Sequence, residues 1–148
     1  MTKGAVDLKV VRDRLEIVAV CLADLRTLPQ SSVEEFLGDR RNPAAADSLL
    51  RRAIEALFDT ARHLLARGFG LGTLEYRDVA RRVVEHGLLE DGTLGERFIR
   101  IAGFRNRLAH HYDSVTPEEL FRILVSDLPD LEAIADELRK AAVRLTTS

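Results

Sequence analysis

Hydrophobic residues recur at helical spacing along the whole chain. Leu8, Val11, Leu15, Val18, Leu22 and Leu25 follow one another at steps of three and four, an amphipathic stripe of about five turns. Pro29 and the Ser31-Ser32 pair stop that pattern, and a short turn of helix is expected over Val33 to Leu37. A second long helix is predicted from near Pro43, a favoured first-turn residue. Leu50, Ile54, Leu57, Ala61 and Leu64 form its stripe and Gly68 closes it. A third helix, capped by Thr73, should run to about His86 with Tyr76, Val79, Ala80 and Val83 inward and Gly87 ending it. Thr93-Leu94-Gly95-Glu96 has the form of a capping box, and its helix should reach about His111 or Tyr112. Thr116-Pro117-Glu118-Glu119 opens the next helix with a cap, a proline at the first position and a glutamate at the third. Leu128-Pro129 breaks that run, and Leu131, Ile134, Leu138, Ala141 and Leu145 stripe a final helix. No stretch alternates as a strand and no segment repeats. The expected fold class is all-α, a single-domain helical bundle of about five to seven helices over residues 1–148 with short connections.

Composition narrows the function classes. A chain of 148 residues, 46% hydrophobic and 31% charged, supports one cored domain and is neither disordered nor fibrous. The longest apolar run, Ile17 to Ala23, has seven residues, far below the roughly 20 that cross a bilayer. Charged residues throughout Met1 to Leu15 leave no signal-peptide apolar region. No membrane association is expected. A single cysteine, Cys21, excludes an internal disulfide, reads as a small core residue, and fits a cytoplasmic location. The net charge of −2 provides no global attraction to nucleic acid, so any such contact must be local. Arginine supplies 19 of the 22 basic residues. That suits bidentate contacts to phosphate, and it equally suits a GC-rich genome.

Candidate chemistry concentrates on the helix expected from Leu94 to Tyr112. Its stripe reads Leu94, Phe98, Ile101, Arg105, Leu108, Tyr112, which puts a guanidinium in a core-facing register. Either Arg105 sits at the bundle's edge with its head reaching a carboxylate, or it is held there for a function. On the other side, Ile99, Gly103, Asn106 and His110 cluster. A mid-helix glycine costs about 1 kcal/mol relative to alanine. This face therefore reads either as a close contact with a ligand or a second copy, or as a tolerated glycine beside an exposed histidine. Arg105 and His110 point about 140° apart on an ideal helix, so the chain bends at His110 or a second copy completes the site. Arg97, Arg100, Arg105 and Arg107 with His110 and His111 make a locally basic segment. It is either a phosphate patch or a solvated face with ordinary ion pairs. The run Gly68-Phe69-Gly70-Leu71-Gly72 has neither a preceding strand nor a following Gly-Lys-Ser/Thr, and reads as a connector rather than a phosphate loop. Asp59 and His63 lie one turn apart but supply too few ligands for a metal. His86, next to Gly87, reads as a helix C-terminal residue, and no serine has a base arranged for a hydrolase triad.

Arg105-Asn106-Arg107-Leu108-Ala109-His110-His111-Tyr112 resembles the Arg, four residues, His, one residue, Tyr signature of the HepT toxins, within the HEPN superfamily of small helical ribonucleases. Ala102-Gly103-Phe104 before it, Asp113 after it, and Ile54 to His63 on the second long helix resemble the same family's context. The specific likeness spans about ten residues, and the likeness in helix order covers nearly the whole chain.

The resemblance implies a single HEPN-like domain acting as a metal-independent endoribonuclease, with its site between two protomers of a homodimer. Arg105 and His110 would be catalytic and Asn106 supporting. It also implies a nucleotidyltransferase antitoxin as partner, neutralising by binding, by transfer of AMP to Tyr112, or both, with larger hetero-oligomers left open. No cofactor and no metal is expected, and RNA is the implied substrate. His111 falls where the signature is free. Asp59 is either part of a solvated face with Glu55 and Arg62 or a support that orients Arg105 or His110. The alternative reading, from another class, is a non-catalytic HEPN-type scaffold or substrate-binding subunit of a nucleotidyltransferase. An ordinary structural bundle would explain the stripes but not Arg105 and Gly103 together.

Overall fold

The computed structural model describes residues 4–72, 75–110 and 114–147. Among them seven helices follow one another: α1 (Leu8–Arg26), α2 (Val33–Leu37), α3 (Arg41–Phe69), α4 (Tyr76–Glu85), α5 (Gly92–His110), α6 (Pro117–Ser126) and α7 (Leu128–Thr147). The described residues contain no strand, as the helical periodicity requires.

Helix α3 is the axis of the bundle, and every other helix packs against it. Its length of 29 residues and its apolar stripe explain that position. Leu50, Ile54, Leu57, Ala61 and Leu64 are all buried, and Ala46, Ala53, Phe58 and Leu65 widen the buried face. A stripe so wide has neighbours on several sides. The stripe of α1 packs along α3, with Val11, Val18, Leu22 and Leu25 buried, and Cys21 is buried beside them. Leu131, Ile134, Leu138 and Ala141 of α7 complete the same core.

Helix boundaries follow the local capping chemistry, which differs from the expected signals in three places. Helix α3 begins at Arg41 rather than Pro43 because Asp39 accepts a hydrogen bond from the Arg41 amide at 2.9 Å and also pairs with its guanidinium. Pro43 then falls in the first turn, where amides lack helical partners anyway. The helix runs past Gly68 and ends at Gly70, whose φ of 71° is left-handed and whose amide donates to the Ala66 carbonyl. Helix α5 starts ahead of the expected Thr93 box. The Asp91 carboxylate accepts from the Thr93 amide at 2.8 Å, so Thr93 lies inside the helix and the box does not form.

Other signals act as the sequence suggests. Thr116 accepts from the Glu119 amide and places Pro117 at the first position of α6. Gly87, with φ of 70°, follows α4. The expected cap Thr73 lies outside the described residues; α4 begins after Glu75, whose side chain makes no cap bond.

Candidate active site

The site grows out of the aromatic part of the core. Phe58 of α3 stacks on Phe98 of α5 with ring centroids 4.3 Å apart, and meets the ring of Tyr76 of α4 edge-on at 5.0 Å. These contacts fix three helices relative to one another. Arg105 stands one heptad beyond Phe98 on the same face of α5, and its guanidinium lies over the Tyr76 ring at 3.9 Å. Arg62 of α3 also lies over that ring, at 4.4 Å. The core-facing register of Arg105 therefore produces a side chain only 17% exposed, held against an aromatic plate.

The polar contacts of Arg105 are sparse. Its Nη2 reaches Glu55 Oε1 of α3 at 3.4 Å, a long hydrogen bond, and its Nε is buried without an acceptor among the described residues. An unpaired buried donor on a charged group costs on the order of 1–3 kcal/mol or more. The guanidinium is oriented by packing and the ring while its donors stay largely unused. Such a group can take a bidentate anion without first breaking strong internal bonds.

Two residues of this environment do not stand out in the sequence. Glu55 lies among the charges of a helix face, and only the demand of a buried arginine for a carboxylate points to that region. Tyr76 is legible as inward-facing but not as the ring under the cation. Asp59, one turn beyond Glu55, is exposed and sits 3.9 Å from Arg62. Among the described residues, the carboxylate that reaches Arg105 is thus Glu55.

Helix α5 stays helical through His110, which is exposed. The chain does not bend before the histidine, and the roughly 140° between Arg105 and His110 persists. Asn106 is half-buried one residue beyond Arg105. Tyr112, with His111 and Asp113, lies outside the described residues.

The Gly103 side of α5 has two parts. Helix α4 lies along its N-terminal part, where a side chain added at Gly95 would meet Val84 Cγ2 at 2.8 Å. At Gly103 it would meet, among the described residues, only Arg77 Nη2, at 3.6 Å. The close approach within the chain is therefore made at Gly95, and Gly103 is not required by it. In the last turn of α5, Leu108 is buried, Asn106 half-buried and His110 exposed.

Arg107 is held in the opposite manner. It donates to both Glu119 oxygens at 2.7 and 2.8 Å, to the Ser114 carbonyl at 2.6 Å and to the Ser114 hydroxyl at 3.1 Å. The Glu119 hydrogen bond also pushes its pKa up. Arg97 pairs with Asp130 of α7.

His63 is occupied elsewhere. Its Nε2 accepts the Asp7 amide at 2.9 Å at the head of α1, and burial followed by the nearby Arg67 charge lowers its pKa. Among the described residues no group of three or more His, Cys, Asp or Glu side chains is arranged to hold a metal ion. No described helix is long and apolar enough to cross a membrane.

Comparison with known proteins bears on this arrangement. Residues 18–138 match the family described as Ribonuclease HepT-like. The chain is 25% identical over 114 residues to the tRNA nuclease HepT of Aphanizomenon flos-aquae (strain 2012/KM1/D3), covering 76% of each protein. It superposes on a toxin–antitoxin crystal structure with AMP-PNP at a TM-score of 0.76 and 17% identity, covering 87% of this chain and 97% of that one. It also superposes on the tri-AMPylated Shewanella oneidensis HEPN toxin in complex with MNT antitoxin, at 0.77 and 18%, covering 88% and 97%. These last two likenesses show the fold.

Proposed function

This chain belongs to the HepT-like ribonuclease family, and from that premise we propose that it is the metal-independent endoribonuclease toxin of a toxin–antitoxin system. The observation that carries the reading is the environment of Arg105: a guanidinium fixed on Tyr76, with a buried Nε and one long contact to Glu55. An ordinary structural arginine saturates its donors, as Arg107 does. Arg105 commits its terminal nitrogens only through one long contact to Glu55, and the non-bridging oxygens of a phosphodiester suit such an end-on guanidinium.

The reaction is a transfer within the RNA strand. His110 takes the 2′-hydroxyl proton, the 2′-oxygen attacks phosphorus, and the bond from phosphorus to the 5′-oxygen breaks. The partner subunit's His110 protonates the leaving 5′-oxygen, and Arg105 stabilises the charge that builds on the phosphoryl group. The products are a 2′,3′-cyclic phosphate and a 5′-hydroxyl; 5′-phosphate ends would overturn this scheme. Two copies are invoked because one helix aims Arg105 and His110 in different directions. The last turn of α5, which ends on the exposed His110, is the surface assigned to a homodimer. Asn106 lies on that turn as a supporting polar group, and Asp59 has the weaker supporting role of holding Arg62 beside Tyr76.

Neutralisation falls to a nucleotidyltransferase antitoxin. Tyr112 is one heptad past Arg105 in sequence, and AMP on its hydroxyl would add bulk and a negative charge that competes with the RNA phosphate. The Aphanizomenon relative is named a tRNA nuclease, which makes tRNA the first substrate to try. The test is cleavage of total RNA and of tRNA by purified protein in excess EDTA, beside His110→Ala. Cleavage that survives EDTA and is lost in the variant is expected. Absence of cleavage by protein whose mass shows Tyr112 unmodified would favour the non-catalytic scaffold.

A further inference from the structure

On the flank of α5 turned away from Arg105 lies a cleft of about 460 Å³, bounded by α3, α4, α5, α6 and the start of α7. That size is within the usual range for a small-ligand site. Its floor is apolar, with Ile54, Ile101, Phe104 and Ile123 among the lining residues, and Phe104 is half-buried rather than sealed in the core. Five arginines surround it, Arg77, Arg97, Arg100, Arg107 and Arg122, against three carboxylates.

The carboxylates do not neutralise the arginines evenly. Asp130 is taken by Arg97, and Glu119 by Arg107 with Arg122 at 3.4 Å. Asp127 makes no ion pair within 4 Å among the described residues, and partial burial and then the Asp130 carboxylate raise its pKa against the opposing charges of Arg122, Arg100 and Arg97. Arg77 and Arg100 are exposed and have no ion pair or hydrogen bond among the described residues. Between them Gly103 leaves the crest of α5 without a side chain, where an added Cβ would meet only Arg77.

Guanidinium groups without a bonded partner among the described residues, beside an aromatic and aliphatic floor, match the phosphate and base of one unpaired nucleotide. An acidic protein segment would use the arginines but not the floor. We propose that this cleft binds a nucleotide of the RNA strand outside the cleavage point, with its phosphate on Arg77 and Arg100 and its base against Phe104. The strand crosses the bare crest at Gly103 and continues to the Arg105 side. This rests on the ribonuclease reading for its choice of ligand, but binding is measured without cleavage.

The probe is a fluorescent single-stranded 2′-O-methyl RNA decamer, which lacks the attacking hydroxyl, followed by anisotropy across a salt series. Arg77→Gln/Arg100→Gln is compared with wild type and with the charge-matched double variant Arg52→Gln/Lys140→Gln, at exposed positions elsewhere. The cleft variant should bind at least about tenfold more weakly, and its log–log salt slope should fall by about 0.7 for each phosphate it no longer neutralises. The control should change less than about twofold. No binding by wild type, or equal losses in both double variants, overturns the proposal. So does arginine-dependent binding of a poly-glutamate decamer without binding of the RNA, which would mark a docking site for an acidic protein segment. Cleavage of total RNA in parallel separates the two readings. Cleavage that needs Arg105 while decamer binding ignores Arg77 and Arg100 sinks the cleft alone. Arginine-dependent binding without any cleavage sinks the ribonuclease and keeps the cleft.

Discussion

Arg105 and Arg107 are two residues apart on one helix and carry the same group, yet the fold treats them oppositely. Arg107 has four donor contacts, to Glu119 and Ser114, and through them clamps the start of α6 onto α5. Among the described residues Arg105 has a ring beneath it, one long contact and a buried Nε with no acceptor. A saturated guanidinium is structural because any ligand must first displace its partners. A packed but unsaturated one is costly to folding and prepared for an anion. Unused hydrogen-bonding capacity, rather than charge or burial alone, separates the functional arginine from its neighbour.

The largest effect expected from this contrast is on activity. Arg105→Gln should lower the rate of RNA cleavage by about 10²–10³-fold, the cost of losing a transition-state donor, with the melting temperature unchanged or raised. An equal loss of activity from a well-folded Arg107→Gln would break the comparison.

The next effect is on stability. Arg107→Ala leaves Glu119, 16% exposed, without its bidentate partner. Because Arg107 itself is partly exposed, the expected cost is about 1–2 kcal/mol. In a domain of this size that lowers the melting temperature by roughly 2–8 °C, readable by circular dichroism; a change under about 1 °C would mean the clamp contributes nothing.

The two glycines of α5 sharpen the same contrast between built and open surface. Gly95→Ala is expected to destabilise by about 1 kcal/mol, since overpacking on Val84 exceeds the gain in helix propensity. Gly103→Ala should stabilise by about 0.5–1 kcal/mol, because among the described residues nothing lies closer than Arg77 at 3.6 Å. Chemical denaturation of both variants tests the signs, and a destabilised Gly103→Ala would show a closeness that the chain alone does not have.

The smallest effect concerns His63, whose folded-state pKa is lowered from its ordinary 6.5. The neutral ring accepts the Asp7 amide, so its stabilisation is complete above pH 6.5 and is lost as pH falls from there through the folded value, where the unfolded chain takes up the proton first. Wild type should lose more stability than His63→Gln between pH 7.5 and pH 5. Identical losses would dismiss the role.

Much of this fold is legible in residue order because helical periodicity is a local property. The stripes of α1, α3, α4 and α7, the Thr116-Pro117 start and the Gly87 stop appear where the sequence places them. The errors are also local and chemical. Asp39 and Asp91 offer carboxylates to helix starts ahead of the more conspicuous Pro43 and Thr93, and the chain uses Gly70 where Gly68 stands first. The site is legible only in outline. Arg105 announces itself by breaking an apolar stripe, whereas Glu55 and Tyr76 are 50 and 29 residues away in sequence, and no pattern within one helix points to them.

The sequence by itself determined that this chain is helical, which faces are apolar, and that an arginine stands where a hydrophobic residue is expected. Those properties depend on backbone periodicity and side-chain polarity, which act over a few residues. Tertiary structure decided which arginine keeps its donors free, which carboxylate reaches it, and which glycine the packing requires. These outcomes depend on distances between helices far apart in the chain, set by packing of the whole core around α3.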